Sequence, residues 1–395
     1  MKTKFDILVI GGGIAGQVAA LASAEAGLSV ALLDARNLAD VPDNGRAYAL
    51  AASTLRMLSR LGVDAQANAQ PMVDMLVTEG TGDSPWKMHF DSCTHGEPTA
   101  QMVESAELYA ACWKTVSDAS AIEVIDQVRV SEWDFGLGEA SVTLASGPVL
   151  TAKLIIAADG RNSPTRRAAQ ITVQRKEYDQ AALVTTISHA LPHDGLALQR
   201  FLPGGPLAVL PLTEQRSQIV WSDRRIAIAA AVELPEAAFL ALLQERVGDY
   251  LGDLSLAAPR QSYPLVLQTA DAFTAQRLAL IGDAAHVIHP LAGQGLNLGM
   301  RDVAALAHGI EAAAANGQDI GIAGLLGYET WRRSDVGMMS LATDGLSMLF
   351  RSKSRLLGHA RRSGLAAINR ADLAKSFFMA EAAGETGDLP NLMRR

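Results

Sequence analysis

Cysteine is almost absent: the 395 residues include only Cys93 and Cys112, with no Cys-x-x-Cys pair and no histidine at ligand spacing. That excludes a disulfide framework and a structural zinc site, and cytosolic chemistry is the expectation. Excess basic charge is also lacking, since the formal net charge is -8. A nucleic-acid binder needs a cationic footprint to neutralise phosphates, so that class is excluded. Long apolar runs are missing too. The stretch Phe5–Leu33 comes nearest, but Gly11-Gly12-Gly13 breaks it, Glu25 breaks it again, and no small-residue cleavage site follows a basic start. No window reaches the ~18 uninterrupted apolar residues that span a bilayer, so neither a membrane-spanning helix nor a signal peptide is expected.

What is present is a globular composition, 49% hydrophobic, on a chain long enough to bury a sizeable core in two domains or one composite one. The N-terminal segment reads as a βαβ unit: Phe5–Ile10 is a short buried strand, Ile14–Ala26 an alanine-rich helix, and Ser29–Leu33 a second strand. The turn between strand and helix contains G-x-G-x-x-G at Gly11, Gly13 and Gly16. The first glycine permits the tight turn, the second lets backbone approach a pyrophosphate, and the third lets helix and strand pack closely. The start of the helix, at Ile14 and Ala15, turns its positive end to the phosphates. Asp34 closes the second strand, eighteen residues after Gly16, where a carboxylate can accept hydrogen bonds from ribose hydroxyls. A glycine-rich loop alone is often merely a turn. Here strand, helix, second strand and terminal acid agree on a dinucleotide site, with NAD and FAD both open at this point.

Two later segments run from a buried strand into an aspartate: Leu154–Arg166 (LIIAADGRNSPTR) reaches Asp159-Gly160, and Arg277–Asp302 (RLALIGDAAHVIHPLAGQGLNLGMRD) reaches Gly282-Asp283. The carboxyl ends of strands are where open α/β sheets bind ligands. The first segment carries D-G-x-x-S-x-x-R and the second G-D-A-A-H-x-x-H-P-x-A-G-Q-G-x-N-x-G-x-x-D with every fixed position filled. Through these strings and the N-terminal fingerprint, the chain resembles the single-component FAD-dependent aromatic hydroxylases, and among them the ubiquinone-biosynthesis hydroxylases. The likeness extends through Arg46–Leu50, Gly205-Pro206, Leu210–Leu212, Trp221 and the C-terminal helices, and so covers nearly the whole chain.

The resemblance implies an α/β fold: a Rossmann-like FAD-binding domain of the hydroxybenzoate-hydroxylase type (residues 1–70, 98–175 and 265–330), an inserted β-sheet substrate domain (71–97 and 176–264), and a C-terminal helical region (331–395). It also implies that Asp283, beside Gly282, holds the ribityl hydroxyls. Asp159 and Gly160 would lie near the pyrophosphate, in a segment serving both FAD and the nicotinamide donor. Arg46 would lie near the flavin or the pyrophosphate, and Pro290, Gly295, Leu296 and Asn297 against the isoalloxazine. The chemistry of that last loop agrees independently. Ala292–Gly295 admits close backbone approach to a flat ring, and a helix starting near Leu296 aims a positive end where reduced flavin carries negative charge.

Two positions depart from the family's pattern. Glu104-Ser105-Ala106-Glu107-Leu108 replaces an E-N-R-x-L segment and lacks its arginine, and Gln199 precedes Arg200-Phe201 where relatives often carry glutamate. His286 and His289 are three apart beside Asp283, but Pro290 follows at once and no Glu lies between them as in HExxH, so no metal site is expected. His286 reads instead as a hydrogen-bonded structural histidine.

Between Asp159 and Asp283 the runs Ala181–Ile187, Leu207–Leu212, Gln218–Ser222 and Arg225–Val232 are β-prone, predicting a sheet that covers the isoalloxazine end and encloses an apolar substrate chamber. Individual residues there, such as Val209 and Trp221, read as ordinary core. Helices from residue 331 carry a Met, Leu and Phe-rich face, and residues 351–395 hold nine Lys or Arg against four Asp or Glu. Packing on the FAD domain is favoured for most of that face, with a membrane or a partner protein left open as a second use.

The implied activity is hydroxylation of a polyprenylated phenol with O2 in ubiquinone biosynthesis. FAD is the cofactor, and NADH or NADPH is a transient donor, since only one dinucleotide fingerprint exists. The flavin carries the chemistry, so no catalytic side chain stands out. The rival readings are a hydroxylase of a small soluble aromatic acid or phenol, flavin chemistry without oxygen, and a non-catalytic FAD-binding assembly protein. The expected location is the cytoplasm. Peripheral contact with the inner face of the membrane, membership of a ubiquinone-biosynthesis protein complex and homo-oligomerisation stay open.

Overall fold

The computed structural model describes residues 2–42, 45–80, 87–91, 93–94, 97–288, 294–351 and 379–395, with the side chains of 91, 93, 94 and 340–351 left aside. Five parallel strands stand side by side in the order Ile122–Ile125, Val30–Leu33, Lys4–Ile10, Val149–Ala157 and Leu278–Leu280. Ile7, Leu8, Leu32, Leu154, Ile155 and Ala279 are fully buried. Such near-continuous apolar strands are what a parallel sheet covered on both faces requires. Antiparallel strands Ala140–Leu144 and Val130–Phe135 extend the sheet from the early part of Val149–Ala157. The Ile14–Glu25 helix packs against both Gly295–Ala315 and Ser105–Asp118.

Register does the positioning. Ile10 lies opposite both Leu33 and Ala157, and Ala157 lies opposite Leu280. Four neighbouring strands therefore end at one level, and the residues that follow them (Gly11, Asp34, Ala158 and Ile281) emerge together along the carboxyl edge of the sheet.

A second, nine-stranded sheet runs His286–Val287, Gln261–Ala270, Val173–His189, Arg216–Arg224, Gly205–Leu212, Leu196–Leu202, Asp74–Glu79, Lys87–Asp91, with Leu254–Leu256 also on Val173–His189. One face packs in its own core, where Leu183, Val209, Ile219 and Trp221 meet Phe239, Leu243 and Val247. Val209 and Trp221 thus belong to this core, with Arg246 stacked 4.5 Å from the centre of the Trp221 ring. The sequence reading of Arg225–Val232 as β-prone is corrected: Arg225–Glu233 is a helix. Its run of Ala229-Ala230-Ala231 favours helix strongly, and Ile228 and Ala231, three apart, are the residues it buries.

A small sheet of Ala47–Ala51, Ala100–Glu104 and Gln70–Met72 is tied to the large one by Arg216, whose guanidinium donates to Glu104 Oε1 at 2.7 Å. Residues 379–395 are latched onto the Ala52–Arg60 helix. Ser53 N–H donates to the Ala383 carbonyl at 3.1 Å, Arg56 pairs with Glu385 at 3.1 Å, and Met393 is fully buried in the main core. Among the described residues no helix is long and apolar enough to cross a membrane.

Candidate active site

At Gly11 and Gly16 the glycine turn has no room for a side chain. Gly11 adopts φ +107°, and a Cβ there would lie 2.4 Å from the Ala158 carbonyl oxygen; at Gly16 it would lie 1.8 Å from the Gly11 carbonyl oxygen. Asp34 braces the same turn: its Oδ2 accepts from Gly12 N–H at 2.7 Å, and its Oδ1 accepts from the N–H of Arg36 at 2.7 Å. Gln17, buried in the first helix, donates to the Gly12 carbonyl at 2.9 Å. The result is a rigid backbone cradle at the end of the first strand, against which Gly13, Ile14 and Ala15 form the wall of a large cavity.

That cavity has a volume of about 790 Å³, ample for a cofactor or drug-sized ligand. Gly160 and Arg161 from one strand end, Gly282 and Asp283 from the next, Arg46 from the loop just ahead of the small sheet, and Gln294, Gly295 and Leu296 from the start of the long helix complete this end of it. The first helix and the Gly295–Ala315 helix both begin here without a side-chain cap. Two sets of free N–H groups and two positive helix ends therefore serve one cavity. Arg46 stacks 3.8 Å from the centre of the Tyr263 ring, which fixes its guanidinium at the junction with the large sheet.

Asp283 opens onto the cavity but is otherwise enclosed by protein. Enclosure pushes its carboxyl above the ordinary range, against the pull of His286, Arg161 and Arg46. Neighbouring Asp302 has the opposite fate. Fully buried, it accepts from Gly282 N–H at 2.8 Å, bonds His286 Nε2 at 2.6 Å, and accepts from Arg332 Nε at 2.8 Å. Burial alone would raise its carboxyl, but His286 and Arg332 outweigh burial and hold it low. His286 is therefore a structural histidine serving Asp302, while His289 lies outside the described residues.

The positions singled out in the sequence divide into three groups. Gly13, Ile14, Ala15, Arg46, Gly160, Gly282, Asp283, Gly295 and Leu296 form the cavity wall. Gly11, Gly16, Asp34, Asp159 and Asn297 do not line it but adjoin residues that do. Asp159 Oδ2 accepts from Thr165 N–H at 3.0 Å, at the start of the short Pro164–Ala168 helix, and its Oδ1 is buried without a partner among the described residues. Asn297 Oδ1 accepts from Ala51 N–H and Thr54 Oγ1, each at 3.0 Å, and its Nδ2 donates to the Ala49 carbonyl at 2.8 Å, clamping the long helix to the small sheet. Pro290 lies outside the described residues. Asp302, Arg332 and Gln17 carry the site from behind and were not singled out. Asp302 and Gln17 signal themselves as polar residues inside alanine-rich helices, whereas Arg332-Arg333 looks in sequence like any solvated pair.

The protein matches the family described as FAD binding domain over residues 4–338. Ubiquinone hydroxylase UbiL of Rhodospirillum rubrum is 37% identical over 398 residues, spanning 98% of this chain and 92% of that protein. The chain belongs to the FAD-dependent ubiquinone hydroxylase family. The mitochondrial ubiquinone biosynthesis monooxygenase COQ6 of Danio rerio is 32% identical, over 96% of this chain and 89% of its own. Among solved structures, p-nitrophenol 4-monooxygenase PnpA of Pseudomonas putida superposes with a TM-score of 0.80 at 20% identity, covering 98% of this chain and 100% of that one. This hydroxylase uses FAD, and the cradle fits that group: no Cβ intrudes at Gly13, two uncapped helices start at the wall, and Asp283 makes no hydrogen bond to any described residue. Bound FAD supplies the redox chemistry; the protein's own share is to hold it, exclude water and orient the substrate.

Asp283→Asn separates two consequences of the enclosed carboxylate. Loss of a charged acceptor is expected to weaken FAD by tenfold or more, about 1.5–3 kcal/mol, read from flavin fluorescence on titration. In the FAD-free protein the raised carboxyl means that the native state keeps a proton the unfolded chain has lost. Stability should therefore fall as pH rises from the ordinary carboxyl value through the raised one, and Asp283→Asn should flatten that slope. An unchanged FAD affinity would remove Asp283 from the binding site.

Proposed function

We propose that the protein hydroxylates the aromatic ring of a polyprenylated phenol in ubiquinone biosynthesis, drawing hydride from NAD(P)H and one oxygen atom from O2. The observation that carries this reading is how charge is distributed in the cavity wall. Among the described residues, its charged side chains are Arg46, Arg161 and Asp283, all on the loops of the nucleotide end. The large sheet contributes Met75, Val77, Met88, Val184, Ala208 and Val220 instead. An aromatic acid would need a cation to hold its carboxylate, whereas a prenylated phenol needs this greasy surface. The names of the relatives support the same substrate class.

On this reading Gly13, Ile14 and Ala15 approach the pyrophosphate, Asp34 the ribose, Asp283 the ribityl chain, and Gly295 and Leu296 the isoalloxazine. Asn297 and Asp159 position their neighbours. The protein meets its lipid-borne substrate by peripheral contact with the membrane, through the basic segment beyond Arg351; Arg355, Arg361 and Arg362 lie outside the described residues.

The test is NAD(P)H-dependent oxygen uptake with phenols of graded prenyl length, the product identified by mass spectrometry. A tailed phenol should be preferred over its tailless counterpart by at least about tenfold in kcat/KM, because each buried methylene contributes up to ~0.8 kcal/mol. Preference for a tailless aromatic acid would transfer the enzyme to the small-aromatic reading.

A further inference from the structure

The chamber face of the large sheet follows from strand register. Met88 lies opposite Val77, Val77 opposite Gln199, Gln199 opposite Ala208, Ala208 opposite Val220, and Val220 opposite Val184. Side chains on directly opposed residues share a face, and all six line the cavity. One amide thus stands in the middle of an otherwise aliphatic row.

Beyond its strand pairing, Gln199 makes no side-chain hydrogen bond to any described residue. The nearby Gln218 is different, since its amide donates to the Gly45 carbonyl at 3.2 Å and ties sheet to loop. A half-buried amide with no side-chain partner among the described residues, on an apolar wall, is a cost unless a ligand satisfies it. A glutamine offers both a donor and an acceptor, and a phenol hydroxyl can use either. The amide N–H also holds the oxygen once its proton has left, which a carboxylate cannot do.

We infer that Gln199 is a positioning residue that hydrogen-bonds the phenol oxygen and so sets which ring carbon faces the flavin. This rests on the proposed reading of the chamber as a phenol site. Its strength is that such a site rejects an analogue lacking the hydroxyl, because the buried amide is then left unpaired.

The test uses the FAD-loaded protein, a short-tailed prenylated phenol and the same compound without its hydroxyl, with dissociation constants from the change in flavin absorbance. Wild type should favour the phenol by about tenfold, as expected for one buried hydrogen bond. Gln199→Leu should reduce that ratio to near one while binding the deoxy compound within twofold of wild type, and should release more peroxide per NAD(P)H consumed. Gln199→Glu, which still accepts from a protonated phenol, should restore the preference at low pH and lose it as the phenol ionises. A Gln199→Leu protein with full flavin content and an undiminished ratio overturns the inference. Should that variant not fold, a wild type without preference for the phenol overturns it equally. If wild type hydroxylates some other phenol, the proposed substrate fails but the same ratio measured on that phenol still judges Gln199. If no phenol perturbs the flavin, both readings fall.

Discussion

Gly16→Ala should give a protein that purifies colourless. The added methyl would sit 1.8 Å from the Gly11 carbonyl oxygen, and that oxygen belongs to backbone held by Asp34, Gln17 and the neighbouring strand. No flexible side chain can yield, so the turn must open and carry Gly13, Ile14 and Ala15 out of place. Forced overpacking of this kind costs about 1–3 kcal/mol in stability. The effect on FAD should be larger, a hundredfold or more, because backbone N–H groups recognise phosphate only at fixed geometry. Flavin absorbance per mole of protein measures it, with circular dichroism as the check that the sheet survives. A yellow Gly16→Ala protein would show that the first turn is not where the cofactor is held.

Arg332→Met should be the most destabilising of the substitutions considered. It leaves Asp302 as a buried carboxylate with half its compensation removed, and breaking a buried pair from one side typically costs about 3–5 kcal/mol. The loss spreads to the active site, because the same carboxylate holds Gly282 N–H and His286, and with them the segment bearing Asp283. Denaturant midpoint and FAD retention should therefore fall together. The pH dependence has a definite sign. Since the Asp302 carboxyl is held below its ordinary value, its contribution is complete above that value and disappears only as pH falls through the lowered one. The cluster's contribution to the denaturant midpoint should accordingly persist in wild type until strong acid, while Arg332→Met has already lost most of it at neutral pH. Equal midpoints for the two proteins would mean that the cluster is incidental.

These expectations draw on different depths of the sequence. The nucleotide end was legible because its chemistry is local: glycines at fixed intervals, a strand before them and an acid after the next strand. The chamber was legible only as a region. Which residues face it depends on register across six strands drawn from 74–91 and 181–224, and no single segment carries that information. Arg225–Val232 shows the limit in miniature, since Ile-Ala-Ile reads as strand by side-chain type yet lies in a helix that buries Ile228 and Ala231. Asp302 shows another. Its carboxylate looks from sequence like one more motif letter, and only the convergence of His286, Arg332 and Gly282 makes it the hub.

The wall contributed by Met379 and Ala382 gives the chamber an order of construction. A ribosome delivers the parallel strands, the glycine turn and the long helix through Ala315 well before it delivers residue 379. During that interval the nucleotide end can assemble while one side of the chamber has yet to be made. Ser53 N–H on the Ala383 carbonyl and Arg56 on Glu385 then hold that last wall in place. The part of the wall that packs on Met88 and Phe90 is thus the last to be made, and its place depends on contacts to a helix formed about three hundred residues earlier.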